Sequence, residues 1–141
     1  PPRSTLFPYT TLFRSEFMNL LLELSQRVDS HYGPQLASPI ETRLDALIAR
    51  LFNGVTLEAR IAAPNAYVFT WTWGEALLRI DTAPLHHELA TFPNHLHDAQ
   101  GRLHHDPLTH CGAAPWDNLA AVVEALIADP LLEIHFCGAL P

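Results

Sequence analysis

The fold is decided by residues 53–81, which read NGVTLEARIAAPNAYVFTWTWGEALLRID. The stretch opens with Asn53-Gly54, the strongest two-residue signal for a β-hairpin, and apolar side chains then alternate with polar ones over residues 55–61. A second alternating run places four aromatic side chains on one face: Tyr67, Phe69, Trp71 and Trp73. Gly74-Glu75 then predicts a turn into a further strand over residues 76–81.

The segment before Asn53-Gly54 supports two interpretations. Ser38-Pro39-Ile40-Glu41 matches a helix capping box with proline at the first helical position, and the apolar residues that follow it would allow a helix up to Leu51. A hairpin turn at Asn53-Gly54 instead requires a strand before it. We predict a strand over about Leu47–Phe52, which completes a four-stranded antiparallel meander.

Helices are predicted on both sides of this meander. Residues 18–32 place apolar side chains at helical spacing, and Gly33-Pro34 ends the helix. Near the carboxyl end, Asp117 is a candidate N-cap for an amphipathic helix that Pro130 closes. The predicted fold class is therefore α+β: a four-stranded antiparallel meander packed by N- and C-terminal helices, with a proline- and histidine-rich loop.

Composition narrows the classes of function. The chain has 141 residues and a formal net charge of −7, so it lacks the basic surface with which generic nucleic-acid binders hold phosphates. Two cysteines are too few for a disulfide framework, which favours a cytoplasmic protein. No apolar run reaches the ~20 residues that a membrane-spanning helix needs, so no membrane association is expected.

The first residues look foreign to the protein. Residues 1–15, PPRSTLFPYTTLFRS, look like the translation of a sequencing adapter, and the only methionine of the chain, Met18, follows shortly after them. We therefore interpret residues 1–17 as a non-native upstream segment and residues 18–141 as a single α+β domain.

Seven of the nine histidines lie between positions 86 and 110, among prolines that prevent long regular elements. On an extended segment His95 and His97 would project from the same face, and His86 and Glu88 have the same spacing. If the two pairs face each other, they form either a divalent metal site with His86, His95 and His97 as ligands or an acid–base pair oriented by Glu88. The candidate outer partner in the metal site is Glu88 or Asp81. No other cofactor is indicated.

A structural interpretation of the same histidines stays open. Imidazoles in a loop without a strand ladder can hydrogen-bond the loop carbonyl groups, and they then stabilise turns without any chemical role. His104-His105-Asp106 lies outside the densest part of the cluster and is interpreted as a solvated turn.

Residues 67–130 resemble the TumE family of small bacterial proteins, whose signature runs approximately D-N-A-P-H-H-x-E followed by T-F-P-x-H-x-H. The matching positions are Trp71, Asp81, Ala83, Pro84, His86, Glu88, Thr91, Phe92, Pro93, His95 and His97. The chain has Thr82 where the family usually has asparagine, Leu85 and Asn94 where it usually has histidine, and His87 where it usually has proline. The resemblance implies a toxin component of a toxin–antitoxin system, whose partner is an antitoxin with a helix-turn-helix module.

The toxin resemblance also suggests RNA as the substrate. One histidine would then take the proton of a 2′-hydroxyl and another would protonate the leaving oxygen, with Arg79 or Arg102 stabilising the phosphoryl charge. The candidate catalytic residues are His86, His95, His97, Glu88 and Asp81. Two alternatives remain: a noncatalytic protein-binding subunit and a small metal-dependent hydrolase.

Overall fold

A computed structural model describes residues 2–137, except for the side chains of residues 2–15, 17 and 137. Three α-helices are found in this part of the chain: α1 (Pro2–Tyr32), α2 (Pro115–Ala128) and α3 (Glu133–Cys137). A short 3-10 turn, Gly33–Gln35, follows α1. The strands are β1 (Glu41–Arg43), β2 (Ala46–Arg50), β3 (Thr56–Ala63), β4 (Ala66–Trp73), β5 (Ala76–Asp81), β6 (His95–His97) and β7 (Leu103–His105).

The seven strands form one antiparallel sheet whose spatial order follows the chain from β1 to β7. The α+β class is confirmed, but the predicted four-stranded meander is wrong. Its four strands correspond to β2–β5, and the sheet gains one strand before them and two after them. Each added strand has only three residues, too few for alternation between polar and apolar side chains to register in the sequence.

The first added strand lies where the sequence also allowed a helix. Instead of starting a helix, Glu41 pairs with Ile48 across the β1–β2 hairpin, and its carboxylate contacts the Arg50 guanidinium. The capping-box interpretation is therefore wrong. A side chain that would cap a helix serves here in a cross-strand ion pair.

One face of the sheet carries the hydrophobic core. Buried residues from β3, β4, β5 and β6 meet buried residues of α1 and α2 in a single cluster that includes Leu24, Leu57, Phe69, Trp71, Ile80, Leu96 and Val122. Trp73, at the end of the aromatic run, is 39% exposed, and its ring nitrogen donates to the carbonyl of Asn53.

The opposite face, which we call the polar face, carries the charged side chains and imidazoles. Directly opposed residues of neighbouring strands share a face of an antiparallel sheet. One row across β3–β7 consists of Arg60, Val68, Asp81, His95 and His105. The adjacent row consists of Glu58, Thr70, Arg79, His97 and Leu103. Residues 82–94, the histidine loop, connect β5 to β6.

Both predicted helices are present. Residues 18–32 form the second half of α1, and their buried side chains are Leu21, Leu24 and Val28. Helix α2 begins at Pro115, two residues before the predicted cap Asp117, and ends before Pro130. No helix in the described part of the chain is long and apolar enough to cross a membrane. That residues 1–17 are non-native stays a prediction, and most of their side chains lie outside the described residues.

Candidate functional site

The structure brings three imidazoles together on the polar face. His95 and His97 project from β6, and His86 reaches them from the histidine loop. The ring centroids of His86 and His95 are 4.7 Å apart, and those of His95 and His97 are 5.0 Å apart. One ring nitrogen of each histidine lies within 4.8 Å of one ring nitrogen of each of the others. The sequence-based expectation that these three rings converge is confirmed.

Strand alternation explains the orientation of two of the rings. Leu96 is fully buried in the core, so its neighbours on β6 must point to the polar face. The histidine loop is held at both ends by local hydrogen bonds: the amide of Ala83 donates to Asp81 Oδ1 at 2.9 Å, and the Thr91 hydroxyl donates to the Asn94 carbonyl at 2.8 Å.

Asp81 and His95 form a buried pair at the centre of the site. The His95 Nε2 to Asp81 Oδ1 distance is 2.9 Å, and the residues are 1% (His95) and 6% (Asp81) exposed. The other nitrogen of His95, Nδ1, lies 3.1 Å from the Pro93 carbonyl oxygen. The ring is therefore held between the Asp81 carboxylate and the Pro93 carbonyl, and Arg79 donates from Nε to the second carboxylate oxygen of Asp81 at 3.0 Å.

His97 has a different environment. It is half-buried, and the described residues give its ring no hydrogen-bond partner. Burial lowers the pKa of His97, the positive charges of Arg79 and His95 lower it further, and only Asp81 opposes them. The neutral ring, with a basic nitrogen lone pair, is therefore the form that this position favours near neutral pH.

His86 is partly buried, and its Nδ1 lies 3.7 Å from Glu88 Oε1. The Glu88 side chain is 67% exposed, so solvent screens this contact. Glu88 does not line the cleft described below, and its role as the partner that orients an acid–base pair stays a prediction.

A cleft of about 600 Å³ opens beside the three imidazoles. The histidine loop borders it with Leu85 and His86, and the sheet borders it with Arg60, Arg79, Asp81 and His97. Of the two arginines expected near a phosphoryl group, Arg79 is therefore in the site. Arg102 is not, because it binds Asp98 in the β6–β7 turn, with 2.9 Å between Nε and Oδ2.

The prediction of a solvated turn at His104-His105-Asp106 is wrong. His104 and His105 belong to β7. His104 donates from Nε2 to Asp98 Oδ2 at 2.7 Å, and its ring stacks on Phe136. Asp106 is buried and accepts hydrogen bonds from the amides of Leu108 and Thr109.

Asp98 anchors the β6–β7 turn. Its carboxylate accepts hydrogen bonds from the His104 ring, the Arg102 guanidinium and the backbone amides of Gln100 and Arg102. Burial alone would raise the pKa of Asp98, but these hydrogen bonds outweigh it and lower the pKa to about 2. This anchor holds β7 against β6, the strand that carries two of the imidazoles.

A buried polar network behind β6 had no signal in the sequence. The Asn94 amide donates to the Tyr67 hydroxyl at 2.7 Å and to Asp106 Oδ2 at 3.1 Å, and Tyr67 shares a hydrogen bond with Thr109. Burial raises the pKa of the Tyr67 phenol. Because Asn94 directly precedes His95, this network fixes the backbone from which β6 starts.

No family model, curated protein or solved structure matches this chain. The resemblance to the TumE family therefore depends on the residues quoted for it, and the functional argument depends on the geometry of the site.

Proposed function

We propose that this protein is the toxin component of a bacterial toxin–antitoxin system and that it cleaves RNA by acid–base catalysis in the cleft beside β6. The observation that carries the proposal is the buried Asp81–His95 pair, which lies beside two half-buried imidazoles and an arginine at the wall of an open cleft. The TumE-like signature supports the toxin class, since its histidines and Asp81 are the residues that meet here.

We base the proposed roles of the three rings on their burial and their position in the cleft. His97 favours the neutral form and lines the cleft, so it takes the proton of the 2′-hydroxyl as the general base. His86 also lines the cleft, and when protonated it donates to the leaving 5′-oxygen as the general acid. His95 is too deeply buried to touch a substrate and is a positioning residue, held by Asp81 and the Pro93 carbonyl.

Arg79 supplies the positive charge that the developing phosphoryl dianion needs. Its Nε is bound to Asp81, which fixes the guanidinium at the cleft wall and leaves its other nitrogens for phosphate oxygens. This local charge replaces the basic surface that an acidic chain lacks.

The acidic surface suits a basic or mixed-charge protein partner. The proposed partner is a cognate antitoxin with a helix-turn-helix module, and the proposed place of action is the bacterial cytoplasm.

Induced expression with and without the antitoxin tests the toxin assignment, and incubation of purified protein with single-stranded RNA tests the chemistry. His97→Gln should lower the cleavage rate by about 100-fold or more, since removal of a general base typically has this effect. The control is His87→Gln, because His87 stacks on Phe92 outside the cluster.

A folded wild-type protein that neither arrests growth nor cleaves RNA would contradict the proposal. A noncatalytic binding subunit would then be the better interpretation. Measurement of binding to the antitoxin would test it.

A second candidate is a metal-dependent hydrolase, which the spacing of the three ring nitrogens favours. Hydrolysis that a chelator abolishes and added metal restores would identify this route. Cleavage by the acid–base route survives the chelator.

A further inference from the structure

We propose that His86, His95 and His97 bind one divalent transition-metal ion of the borderline class, with Zn²⁺ as the representative. This inference goes beyond RNA cleavage, because it concerns binding alone and its test needs no substrate. A metal ion held by all three imidazoles would occupy the proposed general base and general acid, so acid–base cleavage is proposed for the metal-free protein.

The ligand set has the right atoms at nearly the right separations. The three ring nitrogens lie within 4.8 Å of one another. Ligands of a tetrahedral zinc ion with bonds near 2.0–2.1 Å are roughly 3.3 Å apart, so closure needs a contraction of at most about 1.5 Å. His86 can provide it, because the histidine loop that carries it is not held in a strand ladder, whereas His95 is fixed in β6.

The outer partners of a zinc site are already present. A metal-bound histidine usually donates its second ring nitrogen to a carboxylate or a carbonyl group, which orients the ring. His95 Nδ1 faces the Pro93 carbonyl at 3.1 Å, and His86 Nδ1 faces Glu88 at 3.7 Å. Nε2 is therefore the nitrogen that His86 offers to a metal ion, with Glu88 as an orienting carboxylate. In His95 a metal ion would take the place of the proton between Nε2 and Asp81 Oδ1.

Asp81 supplies negative charge at the metal position. Its Oδ1 lies 2.9 Å from His95 Nε2, so the carboxylate lies beside the ligand set as an outer partner. Arg79 holds the other oxygen, Oδ2, and thereby directs Oδ1 toward the imidazoles. Three imidazole ligands suit Zn²⁺ and its transition-metal neighbours, whereas Mg²⁺ and Ca²⁺ prefer oxygen ligands alone.

Calorimetric titration of Zn²⁺ into the purified full chain, prepared without a polyhistidine tag and stripped with a chelator, tests the proposal. We expect one tight site per chain. His86→Ala and His97→Ala should each weaken it by more than about 100-fold, since loss of an outer partner alone costs roughly 10- to 100-fold.

The matched control is His87→Ala, which removes an imidazole adjacent to the site and should leave the tight site unchanged. Co²⁺ is a second probe, and the intense visible absorption of a four-coordinate ion is expected in the wild type and lost in His86→Ala. Circular dichroism checks that each variant is folded. Zn²⁺ binding no tighter in the wild type than in a folded His86→Ala/His97→Ala double variant would overturn the proposal, and this result leaves cleavage of RNA in chelator unaffected.

Discussion

At the scale of single residues, His95 and His97 lie on the same face of β6 but have different environments. Both line the cleft, but His95 is buried and held on both nitrogens, whereas His97 is half-buried and has a lowered pKa. The sequence was sufficient to predict that the two rings share a face, since alternation along a strand is a local property. It was insufficient to predict which of them is covered, because that depends on where the histidine loop crosses the sheet.

Asp81→Asn is the most direct test of the positioning pair. Asparagine keeps the shape and the acceptor for the Ala83 amide but removes the charge that orients His95 and binds Arg79. We expect the rate constant of RNA cleavage to fall by about 100-fold or more with a smaller change in KM. Steady-state kinetics check this, with Glu75→Gln in the exposed β4–β5 turn as the control, and a change confined to KM would contradict the assigned role.

At the scale of secondary-structure elements, β6 serves two surfaces at once. Its central residue, Leu96, completes the core, and its outer residues complete the site. Strands β3 and β4 were predictable because their side chains alternate with a period of two, and β2 and β5 were predictable because the turn signals Asn53-Gly54 and Gly74-Glu75 require strands beside them. Strands β1, β6 and β7 were not, because their pairing depends on longer neighbouring strands rather than on their own three residues.

Leu96→Ala tests the core side of β6. Truncation of a fully buried leucine removes apolar contacts and leaves a cavity, so we expect the free energy of unfolding to fall by about 2–5 kcal/mol. Leu103→Ala on the neighbouring strand truncates a partly exposed leucine on the polar face and should cost clearly less. Denaturant unfolding measures both, and equal losses would contradict the assignment of the two faces.

Asp98 gives the β6–β7 turn a dependence on acidity. The pKa of this carboxyl group is about 2 in the folded protein against an ordinary value of 3.8, so its ionised form stabilises the fold at neutral pH. This stabilisation, roughly 2 kcal/mol by linkage, is fully present above about pH 4 and is lost as the pH falls toward 2.

Asp98→Asn should therefore lower stability at pH 7 and weaken the dependence of stability on pH between 4 and 2. Urea unfolding at a series of pH values measures this. If the free energy of unfolding changes with pH equally in the variant and the wild type between pH 4 and 2, Asp98 is not the group that causes the pH dependence.

At the scale of the whole molecule, the helices cover one face of the sheet and leave the other face for the site. The described side chains of α1 that enter the core are Leu21, Leu24 and Val28, all within the part of the helix predicted from the sequence. The helix itself begins at Pro2, a start that the sequence interpretation did not anticipate because it set residues 1–17 aside.

Removal of residues 1–17 tests that interpretation. Because the buried contacts described for α1 lie at Leu21 and beyond, we expect a chain starting at Met18 to keep the melting temperature within a few degrees and the cleft activity unchanged. Differential scanning calorimetry and the RNA assay measure these properties. A large fall in melting temperature would show that the first residues contribute to the fold.

Because β6 contributes to both the core and the site, binding of a ligand should stabilise the β6–β7 hairpin. An ion or phosphate that contacts both the histidine loop and β6 binds only when Leu96 is packed in the core. It therefore disfavours partly unfolded forms in which the β6–β7 hairpin has separated from β5. Amide hydrogen exchange in residues 95–105 should slow on saturation with ligand, far more than exchange in the distant β1–β2 hairpin. The exchange rates of the amides in β6 and β7 would then show whether a ligand occupies the cleft.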